Sequence, residues 1–277
     1  MLIDTHAHLW FPDYKDDLEQ VIGRANIAGV EKMIVPGTDL ESSRQAVELA
    51  KKYPGVLYAA VGVHPEETLN REYGISNIEK SPLELRDLLS RRDLVKAIGE
   101  IGTDASTDEL KNCMGEQKIL FKKQCEMALE YGLPVIIHTR DSLSEALEIL
   151  DKLPSMPLGQ FHCFSHNEDG LKEVLARGFY VSFCGNITWS KRVAKLVNLV
   201  PDNRLLLETD SPLMMPRDKS GEPINIGYMG GRTPPLQYRN EPANVRVLAE
   251  IIAELRGQNM ETIERITTEN AIRLFRL

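Results

Sequence analysis

The sequence lacks the features that mark secreted, membrane-bound and disulfide-stapled proteins. Cysteine is scarce in a chain of 277 residues, and no C-x-x-C pair occurs among Cys113, Cys125, Cys163 and Cys184. A chain of this size can bury a core without disulfides, so we expect reduced thiols in a reducing compartment. No apolar run approaches the roughly 18 residues of a membrane span, and the opening segment carries an acid instead of a basic leader. We therefore expect a cytoplasmic protein with no membrane segment.

Positive charge is also in short supply. Lysine and arginine together number 33 against 41 aspartates and glutamates, which gives a formal net charge of −8. Proteins that bind duplex nucleic acid over a long stretch present broad basic faces, and this composition excludes that class. It leaves room for a small site with locally positive charge.

Short β-branched segments alternate with longer amphipathic ones along the chain. The predicted strands are Leu2–His8, Lys32–Val35, Leu57–Val63, Leu94–Ile101, Pro134–His138, Gly159–Cys163, Phe179–Phe183 and Leu205–Glu208. The predicted helices are Asp16–Ala28, Leu40–Lys52, Leu83–Ser90, Glu116–Tyr131, Ser142–Leu153, Glu168–Arg177, Ser190–Asn198, Glu241–Arg256 and Met260–Arg276. Strands separated by helices predict a parallel sheet, since parallel neighbours need crossover connections.

Two architectures accept this pattern, a doubly wound open sheet and a closed (β/α)8 barrel. The open sheet favours a glycine-rich phosphate loop, and neither G-x-G-x-x-G nor G-x-x-x-x-G-K-[ST] occurs here. Polar residues instead recur at the carboxyl ends of the predicted strands, where a barrel has its active site. We therefore predict an α/β protein, a single-domain (β/α)8 TIM barrel over residues 1–277, with a metal site at that end.

Histidine placement is the most informative feature of the sequence. Five of the six histidines lie at or just after a predicted strand end: His6, His8, His64, His138 and His162. Carboxylates stand at two further strand ends, at Glu100 and at the pair Glu208 and Asp210. So many imidazoles and carboxylates in one cavity exceed the needs of one ion, and we predict two divalent cations. Their predicted ligands are His6, His8, Glu100, His138, His162 and Asp210.

Other polar residues near the strand ends allow different interpretations. His64, in Gly-Val-His-Pro, is either a loop-stabilising residue or a substrate contact. Asp4 is placed to orient a histidine through a hydrogen bond, whereas His166 is interpreted as a surface residue. Cys163 and Cys184 have no base partner in the pattern, so buried packing is favoured for both.

Ordered motifs along the chain resemble one known family. They are Asp-Thr-His-Ala-His-Leu (4–9), Gly-Val-His-Pro (62–65), Gly-Glu-Ile-Gly-x-Asp (99–104), Pro-Val-Ile-Ile-His-Thr-Arg-Asp (134–141), His-Cys-Phe-Ser (162–165), Leu-Leu-Glu-Thr-Asp-Ser-Pro (206–212), Arg-Asn-Glu-Pro (239–242) and Thr-x-x-Asn-Ala-x-x-Leu-Phe (267–275). As an ordered set they resemble the TatD family of metal-dependent deoxyribonucleases, within the amidohydrolase superfamily. The resemblance implies a (β/α)8 barrel with magnesium- or manganese-dependent 3′→5′ exonuclease activity on single-stranded DNA, and on RNA in some members.

The resemblance also implies a role for each site residue. The ligands implied for one ion are His6, His8 and Asp210. The ligands implied for the second ion are His138 and His162, and Glu100 is implied to bridge the two ions. The residues implied to meet the substrate are His64, Arg140 and Glu208. Some family members crystallise with zinc, and four imidazoles favour zinc or another transition metal over magnesium in the purified protein.

Two segments depart from the family pattern. Gly-Glu-Ile-Gly is followed by Thr103–Thr107, which keeps Asp104 but lacks the usual bulky and basic neighbours. If those neighbours grip a nucleotide in the family, substrate preference differs here. Met214–Tyr238 is longer and more irregular than the family pattern, and we expect it to form part of the mouth of the barrel. Its notable residues are Pro216, Arg217, Lys219, Gly221, Gly230, Gly231 and Arg232.

The predicted reaction is phosphodiester hydrolysis by a water activated between two metal ions, with nucleic acid as substrate and no obligate protein partner evident. Asp210 is the predicted proton acceptor, and Glu100 is predicted to be essential as the bridging ligand. Arg140 is expected to contact the phosphate. Lys191 and Arg192 are either further phosphate contacts or, as we favour, a solvated helix start.

Two other functions stay open at this point. An amidohydrolase acting on an ester, lactone, amide or acyl-tRNA bond would use the same water. Many such relatives bridge their metals with a carboxylated lysine on the fourth strand, where this sequence has Glu100, with Lys96 four residues earlier. A metal-binding barrel without turnover is the second alternative, and it predicts that no open cleft leads to the ions.

Overall fold

The computed structural model describes residues 1–70, 84–224 and 239–277. Its strands are β1 (Leu2–Asp4), β2 (Val30–Pro36), β3 (Leu57–Val61), β4 (Val95–Asp104), β5 (Val135–Arg140), β6 (Gly159–Phe161), β7 (Tyr180–Phe183) and β8 (Leu205–Leu207). Its α-helices are α1 (Leu18–Ile27), α2 (Leu40–Lys52), α3 (Arg86–Leu89), α4 (Asp108–Asn112), α5 (Met114–Tyr131), α6 (Leu143–Asp151), α7 (Glu168–Ala176), α8 (Asn186–Trp189), α9 (Lys191–Leu196), α10 (Val245–Arg256) and α11 (Met260–Phe275). At least one helix therefore separates each strand from the next.

The eight strands form one parallel sheet in which each strand pairs with the next along the chain. The segments that follow β8 and β1 then meet. Thr5 N donates a hydrogen bond to Leu207 O at 3.0 Å, and Ala7 forms a parallel bridge with Ser211. We call this contact between the last strand and the first the seam. It joins the two edges of the sheet, and the predicted (β/α)8 barrel is confirmed.

Side chains on the two faces of the strands pack into two hydrophobic clusters. Because side chains alternate across a strand, neighbouring residues such as Met33 and Ile34 belong to different clusters. The larger cluster includes the apolar faces of the surrounding helices. The smaller cluster contains Ile3, Ile34, Ala60, Ala97, Ile136, Tyr180, Leu206, Ala271, Leu274 and Phe275. Its last three residues belong to α11, so that helix packs against alternate residues of the strands.

β4 and β5 extend further toward the site than the sequence indicated. The predicted fourth strand ended at Ile101, but β4 continues to Asp104. The continuation is paired, since Thr103 lies opposite Thr139 and Asp104 lies opposite Arg140 in β5. The longer strand pair carries polar side chains beyond the apolar interior.

Other predicted elements are shorter or begin differently. The predicted strand Leu2–His8 is regular only as far as Asp4. The predicted helix Leu83–Ser90 is reduced to α3, and its first residue lies outside the described residues. The predicted helix Glu241–Arg256 begins as a separate 3₁₀ turn, Pro242–Asn244, and continues as α10. Proline suits such a first turn, because its missing N–H would have no partner there.

β4 and β5 approach each other closely at Gly102. The φ angle of Gly102 is +151°, and a Cβ atom there would collide with the carbonyl oxygen of His138. Glycine alone avoids both the collision and the backbone cost of this conformation. The close approach sets the end of β5 directly against β4.

Candidate metal centre

The structure brings together all six residues predicted as metal ligands. Two of them lie in the carboxyl-terminal halves of strands, Glu100 in β4 and His138 in β5. The other four follow strands: His6 and His8 after β1, His162 after β6 and Asp210 after β8. All are buried except His138, which is partly exposed. The seam fixes the first and last of them, because Asp210 N donates a hydrogen bond to His6 O at 2.9 Å.

Two histidines and two carboxylates form what we call the first group: His6, His8, Glu100 and Asp210. His6 Nε2 lies 3.1 Å from His8 Nε2 and 3.3 Å from Glu100 Oε2. Asp210 Oδ1 lies 3.6 Å from His6 Nε2 and 3.4 Å from His8 Nε2. A tetrahedral ion with bonds of about 2.1 Å needs ligand spacings of about 3.4 Å. These donor atoms therefore have the spacing that a divalent cation requires.

The second group surrounds the other oxygen of Glu100. Glu100 Oε1 lies 2.9 Å from His162 Nε2, 3.0 Å from His138 Nδ1 and 3.3 Å from His64 Nε2. The nitrogens of His138 and His162 are themselves 3.2 Å apart. The two oxygens of Glu100 thus face two different sets of imidazoles, as a carboxylate between two ions would.

His64 belongs to the second group, a position that the sequence did not predict. Its Nε2 faces Glu100, while its Nδ1 accepts a hydrogen bond from Glu66 N at 3.3 Å and caps the 3₁₀ turn Pro65–Leu69. The loop-stabilising interpretation therefore describes one nitrogen of the ring. The other nitrogen lies where a metal ligand or a substrate contact would lie. The position of His64 directly after a predicted strand was the feature of the sequence that indicated a place near the site.

Burial and neighbouring imidazoles set the charges of the two groups. Burial raises the pKa of Glu100, but His162 and the other imidazoles lower it further, to well below its usual range. Burial also raises the pKa of Asp210, and again the surrounding imidazoles outweigh it. Glu100 in turn raises the pKa of His162 well above its usual value, although burial lowers it. The buried anions Glu100 and Asp210 are therefore compensated by positive charge on the imidazoles. A bound divalent cation would supply that positive charge instead.

Asp104 is a site residue whose role the sequence did not assign. Its Oδ2 lies 2.9 Å from His138 Nε2, on the side of the ring away from Glu100. Burial raises the pKa of Asp104, but hydrogen bonds from His138 and Ser106 lower it further, so the carboxylate is anionic. A carboxylate behind a ligating imidazole fixes the orientation of the ring. Glu100 and Asp104 stand four residues apart on one strand, so their side chains point to the same face. This spacing was the feature of the sequence that could have indicated Asp104 as a site residue.

Glu208 does not occupy the substrate position predicted for it. Its side chain is fully buried and accepts hydrogen bonds from Cys163 N and Ser182 Oγ, each at 2.6 Å. Its Oε1 lies 3.5 Å from His162 Nδ1. The prediction of a substrate contact is wrong on this geometry, because β8 places the residue behind the imidazole instead of in the cavity.

Asp4 also differs from its predicted role. Instead of bonding an imidazole, it accepts hydrogen bonds from His6 N at 3.1 Å and from Thr209 N at 3.0 Å. Burial raises its pKa to about 8, although these hydrogen bonds lower it. The carboxyl group therefore ties the backbone of the first strand segment to that of the last, across the seam.

A cavity of about 590 Å³ lies over the two groups. Its lining includes His8, His64, Glu100, His138, His162 and Asp210. This volume is within the usual range for small-molecule sites. A metal-binding barrel without turnover was predicted to have no open cleft to the ions, and the cavity contradicts that alternative.

Cations and apolar side chains form other parts of the cavity wall. Arg140, predicted to contact the phosphate, lines the cavity at the end of β5. Arg192 also lines it, and its guanidinium donates to His166 O. Both Lys191 and Arg192 are exposed at the start of α9, as the favoured interpretation predicts. Arg192 also reaches the cavity wall, whereas Lys191 is not among the described residues that line the cavity.

His166 and the cysteines have more partners than the sequence suggested. His166 was interpreted as a surface residue, but it is half-buried and its Nε2 lies 2.8 Å from Thr139 Oγ1. All four cysteines are free thiols. Cys184 is buried as predicted, whereas Cys163 is half-buried and lines the cavity. The two thiols and the Glu208 carboxylate lie within 4.8 Å of one another.

The two departures from the family pattern are located differently relative to the cavity. In Thr103–Thr107, Asp104 lines the cavity, while Thr103 is buried with its hydroxyl 2.9 Å from Ser142 Oγ. Met214 lines the cavity as expected for the mouth. Residues 225–238 of the segment Met214–Tyr238 lie outside the described residues.

No helix in the described ranges 1–70, 84–224 and 239–277 has the length and apolar character needed to cross a bilayer. The predicted cytoplasmic location stays a prediction.

A sequence model described as TatD related DNase matches residues 3–276. The chain belongs to the TatD family. It is therefore a metal-dependent hydrolase, and the family resemblance drawn from the ordered motifs is confirmed.

Individual TatD relatives span the whole chain. The chain is 37% identical over 281 residues to the uncharacterized metal-dependent hydrolase YabD of Bacillus subtilis, with 100% of both chains covered. It is 32% identical over 278 residues to the 3′-5′ ssDNA/RNA exonuclease TatD of Cronobacter sakazakii, covering 99% of this chain and 97% of the relative. Among solved structures, the TatD homologue YJJV from Escherichia coli matches with a TM-score of 0.84 and 30% identity, covering 100% of this chain and 98% of that one.

Proposed function

We propose that this TatD family protein is an exonuclease that removes nucleotides from the 3′ end of single-stranded DNA, and of RNA, as one catalytic domain. The observation that carries the proposal is Glu100, whose two oxygens face two separate sets of imidazoles. The proposed ligands of two divalent cations are His6, His8, Glu100, His138, His162 and Asp210. Relatives named as 3′-5′ ssDNA/RNA exonucleases support the substrate and the polarity.

The protein's own groups have distinct tasks in this proposal. Bound divalent cations would supply Lewis-acid activation of a water molecule and of the phosphate group. Asp210 would accept the water proton, since its carboxylate is anionic and lies in the first group. Arg140 and Arg192 would hold the non-bridging phosphate oxygens from the cavity wall. Asp104 would hold the His138 ring in the orientation that the second group requires.

We propose zinc or another transition metal as the ion in the purified protein. The donor set contains imidazole nitrogens in both groups, and magnesium prefers oxygen ligands. Magnesium or manganese can still support activity when supplied in excess, as the family resemblance implies. Elemental analysis of the protein as isolated, followed by an assay after chelation and reloading with each metal, would separate the resident ion from the activating one.

The ester and amide alternatives are less well supported than phosphodiester hydrolysis. Lys96, which would be the candidate for a carboxylated bridging lysine, lies with its Nζ 5.5 Å from the ring centre of Tyr58. Glu100, whose two oxygens face the two groups, is the proposed bridging ligand instead. A substrate panel of single-stranded oligonucleotides, lactones and acyl-tRNA would distinguish the candidates, and preferred turnover of a carbonyl substrate would contradict our proposal.

The proposed roles are tested by Glu100→Gln and Asp210→Asn. We expect each variant to lose at least about 100-fold in the rate of oligonucleotide hydrolysis, as is typical for removal of a catalytic proton acceptor or a bridging ligand. Glu126→Gln is the matched control, because Glu126 is an exposed acid on α5. Circular dichroism would show that the variants are folded, and their metal content would separate a loss of metal from a loss of chemistry. Full nuclease activity in either folded variant would contradict the assignment.

A further inference from the structure

We propose that Trp189 stacks on a nucleobase of the substrate strand at the edge of the metal cavity. The inference rests on the proposed nuclease function and adds to it a residue that recognises the base. Trp189 lines the cavity, yet 45% of the residue is exposed. An exposed indole beside a site for single-stranded nucleic acid offers the flat apolar surface on which bases stack.

The backbone around Trp189 is fixed, so the exposure of the indole is built into the fold. α8 ends at Trp189, and Ser190 N donates a hydrogen bond to Asn186 O at 3.0 Å. Asn186 is buried, and its Nδ2 donates to Phe164 O at 3.4 Å. The same short helix is therefore anchored to the chain that follows β6. A rigid aromatic surface loses little entropy when a base stacks on it.

A second aromatic residue of the cavity, Phe11, is less available for a base. Its ring lies 5.3 Å from the ring of His8 and 4.6 Å from that of Trp10. These contacts commit Phe11 to packing beside the first group. Trp189 makes no aromatic contact with another ring in the described part of the chain, and 45% of the residue is exposed to a ligand.

The charges of the cavity wall favour the Trp189 side for a strand of phosphates. Glu66 and Glu67 line the cavity after β3, whereas Trp189 and Arg192 line it after β7. Three strands lie between β3 and β7 in either direction around the eight-stranded barrel, so the acidic and basic parts of the wall lie across the cavity from each other. Anionic backbone is repelled from the acidic part and attracted to the basic part. In this proposal, the phosphate adjacent to the one that is cleaved contacts Arg192. The base of the same nucleotide stacks on Trp189.

This arrangement predicts a particular kind of specificity. Stacking uses the face of the base and not its hydrogen-bonding edge, so all four bases are accepted with similar affinity. A base inside a duplex already stacks on its neighbours, and it reaches Trp189 only when the strand is single. Trp189 therefore selects single strands with little preference for sequence.

The test compares base-bearing and abasic substrates with Trp189→Ala, Trp189→Phe and Leu213→Ala, in the metal-loaded full chain. Leu213 is the matched control, because it lines the same cavity and is 52% exposed but has no aromatic face. One substrate is a single-stranded oligonucleotide with normal bases. The other carries tetrahydrofuran residues in place of its last two 3′ nucleosides. kcat and KM are measured for each enzyme and substrate.

We expect Trp189→Ala to raise KM for the normal oligonucleotide by about 5- to 150-fold, the range that corresponds to loss of one stacked base. The abasic substrate should show almost no change, Trp189→Phe should keep most of the affinity, and Leu213→Ala should leave the ratio of the two substrates unchanged. An equal loss on both substrates, or no loss on either, would overturn the proposal while leaving the nuclease function intact. A wild-type enzyme that cleaves neither substrate would overturn the nuclease function, and this inference with it.

Discussion

Two imidazoles of the second group are supported by carboxylates on their far sides. Asp104 lies at hydrogen-bond distance from His138, and Glu208 lies somewhat further from His162. Such carboxylates hold a ligating ring in place and raise its basicity, and their loss commonly weakens metal binding. At the scale of single residues, the centre therefore depends on Asp104 and Glu208, which are not among the proposed metal ligands.

Asp104→Asn should weaken the second cation site. We expect about 10- to 100-fold lower affinity for the second ion, because the neutral amide holds the His138 ring less firmly and makes it a weaker base. Titration of the metal-free protein by isothermal calorimetry would resolve the two binding steps. Asp108→Asn is the control, since Asp108 lies four residues further along and its side chain is 90% exposed. Unchanged affinity in both steps would show that Asp104 does not position His138.

At the scale of elements, the pairing of β4 with β5 sets the distance between Glu100 and the histidine at the end of β5. The two strands approach so closely at Gly102 that no side chain fits. A change at this point therefore moves the strand ends apart, and with them the donor atoms that surround Glu100 Oε1.

Gly102→Ala should disturb the second group more than the rest of the fold. The added methyl group would meet the carbonyl of His138, and alanine is strained at a φ of +151°. We expect a loss of about 1–3 kcal/mol in the free energy of unfolding, from urea denaturation, together with loss of one bound metal ion. Gly115→Ala is the matched control on α5, where nothing lies within 4 Å of the new methyl group. There we expect unchanged metal content and equal or higher stability.

The sequence indicated the strand ends well because a periodic pattern and a polar residue coincide there. The strands, most helices and the six converging residues were predictable for that reason. The position of each side chain relative to the cavity was not predictable. Glu208 and Asp210 stand two residues apart, yet Glu208 is fully buried behind His162 and Asp210 lines the cavity. Asp210 has a left-handed backbone, with φ at +55°. Strand alternation alone cannot anticipate such a change of direction.

At the scale of the whole molecule, bound metal should stabilise the barrel. The two groups contain two buried anions, and within the described residues it is imidazoles that compensate them. An ion that binds the native state alone stabilises it by about 2.7 kcal/mol when its concentration is 100 times Kd. The proposed ligands lie in β4 and β5 and directly after β1, β6 and β8, so this stabilisation would connect most of the sheet.

Removal of metal should therefore lower the melting temperature. For a chain of this size we expect about 2–4 °C for each kcal/mol of lost stabilisation, measured by differential scanning calorimetry with and without a chelator. Added zinc or manganese should restore the original value. Glu100→Gln should lose most of this metal-dependent shift, whereas Glu126→Gln should keep it. A melting temperature that is unaffected by chelation of a demonstrably loaded protein would contradict the two-ion centre.

The seam has a consequence for how the enzyme is made. His6 and His8 precede Asp210 and the strand that closes the barrel by about 200 residues, so they are synthesised well before them. Until β8 reaches β1, Thr5 and Ala7 lack their partners, and the first group lacks its second carboxylate. A chain synthesised only as far as β7 thus lacks a complete first group. The centre is complete only once β8 has closed the barrel against β1.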